Sequence, residues 1–524
     1  RQMAQYDAIV VGAGHNGLVA AAYLARNGLS TLVLERSDRI GGACITRELI
    51  PGFKISAAAQ VLGMLRQRII EDLELERHGL KYHFREPEIF VPFFDGRHVF
   101  FYADGHQTMQ SIAEVAPRDA AAFAKFDEYT ARIARIVGGF MLQPQPSISR
   151  FAAAFTGSDG PDMLNCALFA SVGDYLERFF ASDYVKGPMA YGAMSGSAAS
   201  PWAPGTAFSK FYHAASELAG RFGCWAIAEG GMGSITAALA RSVRASGGKI
   251  RLEAPVAQLL TTDGRISGVV LENGDELRAS VVLSNADPKA TLLRLAPKDA
   301  VADDIRAKVA GLRTCGSGAK INFALAELPD FAALPGKSLG PQHCGGIMIA
   351  PSLDYFEDAW DDGKRGIPSV RPFSQMIIQS ATDPSVAPEG RHTLSLWCHH
   401  FPYKLAAGDL DAEREKLAER MTDLLTELAP NFRNSVLARE VFVPVDIERV
   451  YGITGGQIFH TELMPDQVLW NRPIPGYTGH GDVVPGLYLC GAGTHPGGDV
   501  NGAPGHNAAR AVLADMAKAQ LELV

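Results

Sequence analysis

Residues 6–47 read YDAIVVGAGHNGLVAAAYLARNGLSTLVLERSDRIGGACITR, and this stretch decides the fold of the chain. An apolar run leads into Gly12-x-Gly14-x-x-Gly17, and an alanine-rich helical segment follows. A second apolar run then ends on Glu35, about 20 residues beyond the glycines, as in dinucleotide-binding βαβ units. The pattern therefore predicts a strand, a glycine turn, a helix and a second strand that together hold a dinucleotide.

Each part of this fingerprint has a physical role. Gly12 permits the tight turn, Gly14 lets the backbone approach a pyrophosphate, and Gly17 lets the helix pack on the sheet. The positive N-terminal end of the helix faces the phosphates. Glu35 can hold ribose hydroxyls, which favours an adenosine without a 2′-phosphate.

The residues after Glu35 indicate which dinucleotide is bound. Gly41-Gly42 and Thr46 follow, a pattern that resembles the second phosphate-contacting turn of FAD proteins in the glutathione-reductase-like superfamily. A simple nicotinamide dehydrogenase has no use for this second turn, so we expect FAD. The sequence has no second Gly-x-Gly-x-x-Gly for NAD(P)H, and reduced nicotinamide is not expected as the electron source.

Composition excludes several classes of function. The 524 residues are 47% hydrophobic and 20% charged, which predicts an ordered chain with a large core. The net charge is −8 and no long Lys/Arg block occurs, which argues against nucleic acid as a partner. The seven cysteines form no Cys-x-x-Cys, so we expect neither a redox dithiol nor a metal site. Scattered free thiols favour a reducing, cytoplasmic location.

The distribution of apolar residues also indicates whether the chain contacts a membrane. No N-terminal signal peptide and no window of about 18 uninterrupted apolar residues is visible, so a transmembrane helix is not expected. Two apolar stretches, 133–142 and 164–180, could contact a bilayer surface. The favoured interpretation is that both are helices facing a core, with peripheral membrane contact as the alternative.

The region after Arg66 has a different character. Strands are predicted at 89–94 and 98–102, with a hairpin turn at Asp95-Gly96 between them. Pro, Ser and Gly are frequent in 143–162, which predicts a mobile loop. Further strands are expected at 320–325, 374–379 and 392–397, and helices at 68–78, 120–137 and 412–429.

Glycine-rich turns recur in the middle and at the end of the chain. EGGMGSITAAL, residues 229–239, opens a second helix, and the strands that follow end in SNADP, residues 284–288. Near the C-terminus a strand at 487–490 breaks into GAGTHPGGDVNGAPGHN, and a helix is predicted to begin near Pro504. The N-terminus of that helix could face the flavin pyrimidine edge and raise its reduction potential.

These three blocks resemble the phytoene desaturase-like flavoproteins, over nearly the whole chain. The resemblance implies an α/β protein: a discontinuous, glutathione-reductase-like Rossmann FAD domain plus a substrate domain of mixed sheet and helices. It places the FAD-binding domain at 1–66, 222–288 and 481–524, and the substrate domain at 67–221 and 289–480. A lipophilic small-molecule substrate would reach the isoalloxazine between the domains, in a monomer or a homodimer.

Two residues depart from the patterns of related proteins. Ala43 stands where flavin amine oxidases usually carry Arg after the Gly-Gly pair, which weakens an amine oxidase assignment. Asp499 stands where relatives usually carry a third glycine. Near the flavin N1 or O2 its carboxylate would oppose anionic reduced flavin unless its pKa rises. Equally, Asp499 could cap the C-terminal helix.

The resemblance and the motifs together give a set of site residues. Side chains considered for catalysis are His495, His460, Asp499 and Asn501, although His495 could instead fix its loop and His460 could be a core residue that ends a strand. The expected cofactor contacts are Gly12, Gly14, Asn16, Gly17, Glu35, Arg36, Gly41, Gly42, Thr46, Val256, Gly491, Gly493, Gly498, Asp499, Val500 and Asn501.

Three functions remain open from sequence. The first is FAD-dependent desaturation, or isomerisation, of a lipophilic unsaturated substrate, with electrons passed to oxygen or a quinone. The second is flavin amine oxidation at a carbon–nitrogen bond. The third is a non-catalytic flavoprotein that acts through partners.

Overall fold

Two seven-stranded sheets organise the chain in the computed structural model, which describes residues 5–522. The strands are β1 Tyr6–Val11, β2 Thr31–Leu34, β3 Thr46–Ile50, β4 Phe53–Ser56, β5 Tyr82–Phe84, β6 Ile89–Pro92, β7 His98–Phe101, β8 Glu217–Leu218, β9 Arg221–Phe222, β10 Ala226–Ala228, β11 Lys249–Arg251, β12 Val256–Thr262, β13 Arg265–Leu271, β14 Glu276–Ser284, β15 Gly318–Leu325, β16 Gly346–Ile349, β17 Phe373–Ile377, β18 His392–His399, β19 Val436–Phe442 and β20 Leu487–Leu489.

Helices cover the faces of both sheets. They are α1 His15–Arg26, α2 Gln67–Asp72, α3 Gly105–Val115, α4 Pro117–Gly139, α5 Ile148–Ala152, α6 Gly160–Leu168, α7 Val172–Glu177, α8 Asp183–Met194, α9 Ala207–Ala214, α10 Gly233–Ala245, α11 Asp303–Ala310, α12 Pro341–Cys344, α13 Leu353–Lys364, α14 Leu410–Leu428, α15 Phe432–Ser435, α16 Pro444–Tyr451 and α17 Ala503–Glu522.

The first sheet is the Rossmann-like one. Its order is β11-β2-β1-β14-β13-β12, and β20 also pairs with β14. β11, β2, β1, β14 and β20 run parallel, whereas β12 and β13 join through antiparallel pairing. The apolar runs of β1 and β2 are buried because helices α1 and α10 pack against this sheet. The strands come from three separated segments of the chain.

The second sheet is mixed, in the order β19-β15-β18-β17-β16-β6-β7. The β16–β6 pair is parallel and the other pairs are antiparallel. Helices α3 to α9 pack beside it, around an aromatic core. The expected fold class is confirmed, while the boundaries of the two domains stay a prediction.

Several local predictions are corrected by the structure. The helix expected at 68–78 ends at Asp72. The segment 143–162 contains α5, and its Phe151 is fully buried between Phe140 and Phe155. Aromatic packing thus overrides a loop-like composition.

The helix expected over 164–180 is two helices, α6 and α7. The Ser171 hydroxyl accepts a hydrogen bond from the Asp174 N–H and so starts the second helix, and Phe169 at the break is 64% exposed. Most other apolar residues of this stretch, and of 133–142, face the aromatic core. Within residues 5–522 no helix is long and apolar enough to span a bilayer.

Candidate cofactor and substrate site

The site begins where parallel strands of the first sheet end. Val11 ends β1, Glu35 follows β2, and Asn285 follows β14, so these residues meet at one edge of the sheet. All three line a single large cavity. Crevices outside the carboxyl ends of such strands are where α/β proteins bind ligands.

The two glycine turns of the fingerprint contact each other at this edge. Gly12 has φ +97°, and a Cβ at Gly17 would lie 2.2 Å from the Gly12 carbonyl oxygen, so neither position accepts a side chain readily. The Gly41 N–H donates to the Ala13 carbonyl at 2.9 Å. A Cβ at Gly42 would lie 3.5 Å from the Gly14 Cα. The second turn therefore closes over the first.

The N-terminus of α1 is built to receive an anion. Gly14, His15 and Asn16 line the cavity, and no side chain caps the helix or places an acid in its first turn. Among the described residues, His15 Nε2 and Asn16 Oδ1 are buried without a hydrogen-bond partner. Burial, with His460 nearby, lowers the pKa of His15 to about 4. Free N–H groups at a helix start bind phosphate well.

The Glu35 carboxylate is fixed beside this helix start. It accepts hydrogen bonds from the Ala13 N–H at 2.8 Å and the Ser37 N–H at 3.0 Å. Arg36 donates to the Val450 carbonyl at 2.9 Å, which joins the adjacent loop to the far side of the cavity.

The cavity has a volume of about 1640 Å³ and extends from these turns into the substrate side of the fold. Pockets for one small ligand typically measure about 300–1,000 Å³, so there is room for a cofactor together with a substrate. The predicted site residues that line it are Gly12, Gly14, Asn16, Glu35, Arg36, Gly41, Gly42, Val256, His460, Asp499 and Val500. Those that lie behind its wall are Gly17, Thr46, Gly491, Gly493, Gly498, Asn501 and His495.

Several residues behind the wall hold neighbouring segments together, by a hydrogen bond or by close packing. The Thr46 hydroxyl accepts a hydrogen bond from Gly233 N–H at 2.9 Å, at the start of α10. A Cβ at Gly491 would lie 2.6 Å from the Asn285 carbonyl oxygen, one at Gly493 would lie 2.3 Å from Pro288, and one at Gly498 would lie 2.3 Å from the Phe459 ring. These glycines allow the C-terminal loop to approach two other segments closely.

Asn501, and not Asp499, caps the C-terminal helix α17. Its carboxamide oxygen accepts from the Ala503 N–H at 2.7 Å at the start of α17, and its amide donates to the Gly498 carbonyl at 2.7 Å and to Tyr212 Oη at 2.9 Å. The Asp499 carboxylate accepts only from the Val500 N–H in this loop, at 2.8 Å. The helix-cap alternative for Asp499 is therefore wrong.

The two predicted histidines differ in position. His495 Nε2 donates to the Phe140 carbonyl at 2.8 Å, so this ring holds its loop against the end of α4. His460 lies in a loop rather than at a strand end, with φ +67°, and faces the cavity. Burial lowers the pKa of each to about 4, so both rings are neutral at pH 7.

Asp499 faces His213, a histidine that was not predicted as a site residue from the sequence. His213, on α9, directs Nδ1 to the Gly192 and Ser209 carbonyls at 2.7 and 2.8 Å, which fixes the proton on Nδ1. Its Nε2 lies 3.5 Å from Asp499 Oδ2. A proton on either group would turn this contact into a hydrogen bond. Burial raises the pKa of Asp499, and His213 opposes that rise.

Two buried basic residues were also not identified from the sequence. Lys320, on β15, donates to Gln60 Oε1 at 2.7 Å, and burial lowers its pKa well below the usual range. Gln60 lines the cavity in front of it. Arg472 is fully buried and donates to carbonyls of Phe459 and Ala492, at 2.5 and 2.6 Å, which both flank the cavity. Such residues have no local motif, because their partners are distant in sequence.

Comparison with known proteins identifies the family. A family model described as flavin containing amine oxidoreductase matches residues 17–513. The chain belongs to this family. It is 38% identical to the pyridine nucleotide-disulfide oxidoreductase domain-containing protein 2 of Rattus norvegicus, over 98% of this chain and 94% of that one. It is 26% identical to a lycopene-forming phytoene desaturase of Pseudescherichia vulneris, over 94% and 96%.

The solved structures extend the comparison to the fold. Cyclohexylamine oxidase from Brevibacterium oxydans superposes with a TM-score of 0.59 at 19% identity, over 98% of this chain and 99% of that one. This likeness shows the fold alone. Membership of the flavin-containing family confirms the prediction of FAD as cofactor and of an oxidoreductase. Among residues 5–522, no group of three or more His, Cys, Asp or Glu side chains is arranged to hold a metal.

Proposed function

We propose that this flavoprotein oxidoreductase desaturates, or isomerises, a lipophilic unsaturated substrate, and that oxygen or a quinone takes the electrons. The observation that carries the proposal is the aromatic wall of the substrate side, which is continuous with the cofactor side of the cavity. Its rings are Phe101, Phe123, Phe126, Phe222, Trp225 and Phe459. An apolar wall of this kind gains free energy by burying hydrocarbon, at about 25 cal/mol per Å².

The proposed positions of the cofactor follow from the contacts described above. The uncapped start of α1 and the two glycine turns would hold the diphosphate, and Glu35 the ribose. Val256, Asp499 and Val500 would complete the site, since they line the same cavity. FAD supplies an acceptor for a hydride when it is bound.

Desaturation also needs an acceptor for a proton. Two C–H bonds break as the C=C bond forms: one hydrogen leaves as a hydride to FAD, and the other leaves as a proton. The His213–Asp499 pair supports this role because both side chains line the cavity and lie 3.5 Å apart. His460 is a second possible acceptor, whose Nδ1 is buried without a partner among the described residues. Burial lowers its pKa to about 4, so the ring is a weak base.

Anaerobic reduction of the purified yellow enzyme tests the proposal. Terpenoid, fatty acyl and amine compounds are offered in turn, and the flavin absorbance near its visible maximum is recorded. We expect bleaching by an unsaturated lipophilic compound, with a desaturated product identified by mass spectrometry. Bleaching by amines alone would instead support oxidation at a carbon–nitrogen bond, and a panel that leaves the flavin oxidised would favour a non-catalytic role.

A cavity-filling variant ties the result to this site. Gly192 lines the cavity, and a Cβ there would meet nothing within 4 Å, so Gly192→Phe should fold and fill the substrate side. Gly139, which is exposed and equally unobstructed, provides the matched control Gly139→Phe. We expect the first variant to slow flavin reduction by the active compound at least tenfold while retaining FAD, and the second to leave the rate unchanged.

A further inference from the structure

Three basic side chains on the substrate side of the cavity form no close ion pair within residues 5–522. Lys210 on α9, Arg135 on α4 and Arg221 on β9 all line it. Within the part of the chain that the structure describes, none of them has a carboxylate oxygen within 4.0 Å. By contrast, Arg85 in the same wall is paired with Glu88 at 3.1 Å. Charged side chains that are fully buried are almost always paired in this way.

Lys210 is the cation placed deepest among apolar groups. Its Nζ donates to the Met189 carbonyl at 2.9 Å and lies 5.2 Å from the centroid of the Phe126 ring. An ammonium group has three donors, so two remain uncommitted among the described residues. Burial lowers its pKa to about 8 and Asp127 opposes the shift, so the group is still mostly protonated at pH 7. A partly buried ammonium with free donors is stabilised by an added anion.

The other two cations extend the positive region toward solvent. Arg135 lies over the Phe222 ring at 4.8 Å, and Arg221 over the Phe84 ring at 4.2 Å. Both side chains belong to solvent-exposed residues. Among the described residues, Asp127 on α4 is the carboxylate that faces both Lys210 and Arg135, and burial raises its pKa. One carboxylate therefore lies among three basic side chains. The substrate side therefore keeps an excess of positive charge between aromatic surfaces.

We infer that the substrate is a lipophilic carboxylic acid whose carboxylate binds Lys210, with its hydrocarbon part along the aromatic wall. This inference rests on the proposed function and names the substrate class of that site. A carboxylate has the single negative charge that balances one ammonium group, and its two oxygens can accept the two free N–H donors. A cationic amine in the same place would be repelled.

Equilibrium binding to the purified holoenzyme tests the inference without requiring turnover. Dodecanoic acid, its methyl ester, dodecanol and dodecylamine share one hydrocarbon chain and differ in the polar group. Their dissociation constants are measured at pH 7 by calorimetry. We expect the acid to bind at least tenfold more tightly than the ester and the alcohol, and the amine to bind most weakly. Equal affinities for acid and ester, or no binding of the acid, would overturn the inference.

Substitutions at Lys210 assign the effect to this side chain. Lys210→Met keeps the length and removes the charge, and we expect it to reduce the affinity for the acid about tenfold while leaving that for the ester unchanged. Lys210→Arg should retain a preference for the acid. Lys186→Met is the matched control, because Lys186 is already paired with Glu177 at 3.3 Å and lies outside the cavity. Unchanged acid binding in Lys210→Met would overturn the assignment.

The two proposals fail in different ways. Binding of the acid that depends on Lys210, with no compound reducing the flavin, would contradict the redox function and leave the acid site standing. Equal reduction by acids and by esters, with binding that is indifferent to Lys210, would contradict the acid site and leave the redox function standing.

Discussion

Replacement of the buried Arg472 by methionine should destabilise the protein and loosen the wall of the cavity. The guanidinium makes five hydrogen bonds of 2.5–3.2 Å to four carbonyls, those of Phe459, Glu462, Gln467 and Ala492. It therefore ties the loop that carries Phe459 to the C-terminal loop. Methionine fills a similar volume but donates no hydrogen bond.

The size of the effect follows from two opposing contributions. Each buried carbonyl left without a donor costs about 1–3 kcal/mol, which gives roughly 8 kcal/mol for four at the middle value. Removal of the buried charge recovers part of this, since burial lowers the pKa of Arg472 from 12.5 to about 10. At about 1.4 kcal/mol per pKa unit, the recovered part is roughly 3 kcal/mol. We therefore expect a loss of about 5 kcal/mol.

Thermal unfolding and flavin release measure this loss. With an unfolding entropy of about 2.1 cal/mol/K per residue over the whole chain, the expected decrease in Tm is about 5 °C. Arg472→Lys keeps the charge and up to three donors, so it should recover part of the stability. Arg449→Met removes an arginine whose side chain is 72% exposed and should change Tm by less than 1 °C or so.

An Arg472→Met variant that unfolded within about 1 °C of the wild type would refute this expectation, as would an Arg472→Lys variant no more stable than the methionine variant. Either result would mean that the carbonyls find other donors or that the loops do not depend on this side chain. Flavin fluorescence recorded during the same scan should show that FAD leaves the variant before global unfolding, because both loops flank the cavity.

Three further predictions concern the cavity itself. Gly14→Val should yield colourless protein, because valine would place a branched side chain at the uncapped start of α1, where we propose that the diphosphate binds. A yellow variant would contradict the placement of the site, and Gly139→Val is the control. Asp499→Asn should become progressively more stable than the wild type as pH rises above about 4, because a raised folded-state pKa makes ionisation oppose folding; a pH-independent difference in denaturant midpoint would contradict this. The affinity for dodecanoic acid should fall as pH rises through about 8, where Lys210 loses its proton, while calorimetry shows no such change for the methyl ester.

The parts of the fold that could be predicted are those whose cause is local. The glycine fingerprint fixes a turn that side chains cannot adopt, so β1, α1 and β2 follow from about forty residues of sequence. Alternation and apolar runs likewise predicted most strands of the second sheet. The segment around Phe151 was predicted wrongly because its order comes from the surrounding rings of Phe140, Phe155 and Trp470.

The site residues that could be predicted are likewise those with a local sequence pattern. Glu35 and the glycines of the two turns belong to spacing patterns and were predicted. His213, Lys210 and Arg472 belong to no pattern: His213 meets Asp499 across 286 residues of sequence, counted from the two positions. Asp499 and Asn501 lie two residues apart in one motif, yet one faces the cavity and the other caps a helix. Only tertiary contacts distinguish them.

The charges on the substrate side bear on the choice between two reactions, oxidation of an amine and desaturation at a carbon–carbon bond. Likeness of fold to an amine oxidase does not transfer its reaction, because function depends on the residues of the site. A protonated amine about 5 Å from the Lys210 ammonium would be opposed by roughly 3 kcal/mol at an effective dielectric constant of about 20, which is a factor of about 200 in affinity. A carboxylate at the same distance gains as much. The aromatic wall accepts either hydrocarbon, so under our proposal the preference for an acid would come from Lys210, Arg135 and Arg221.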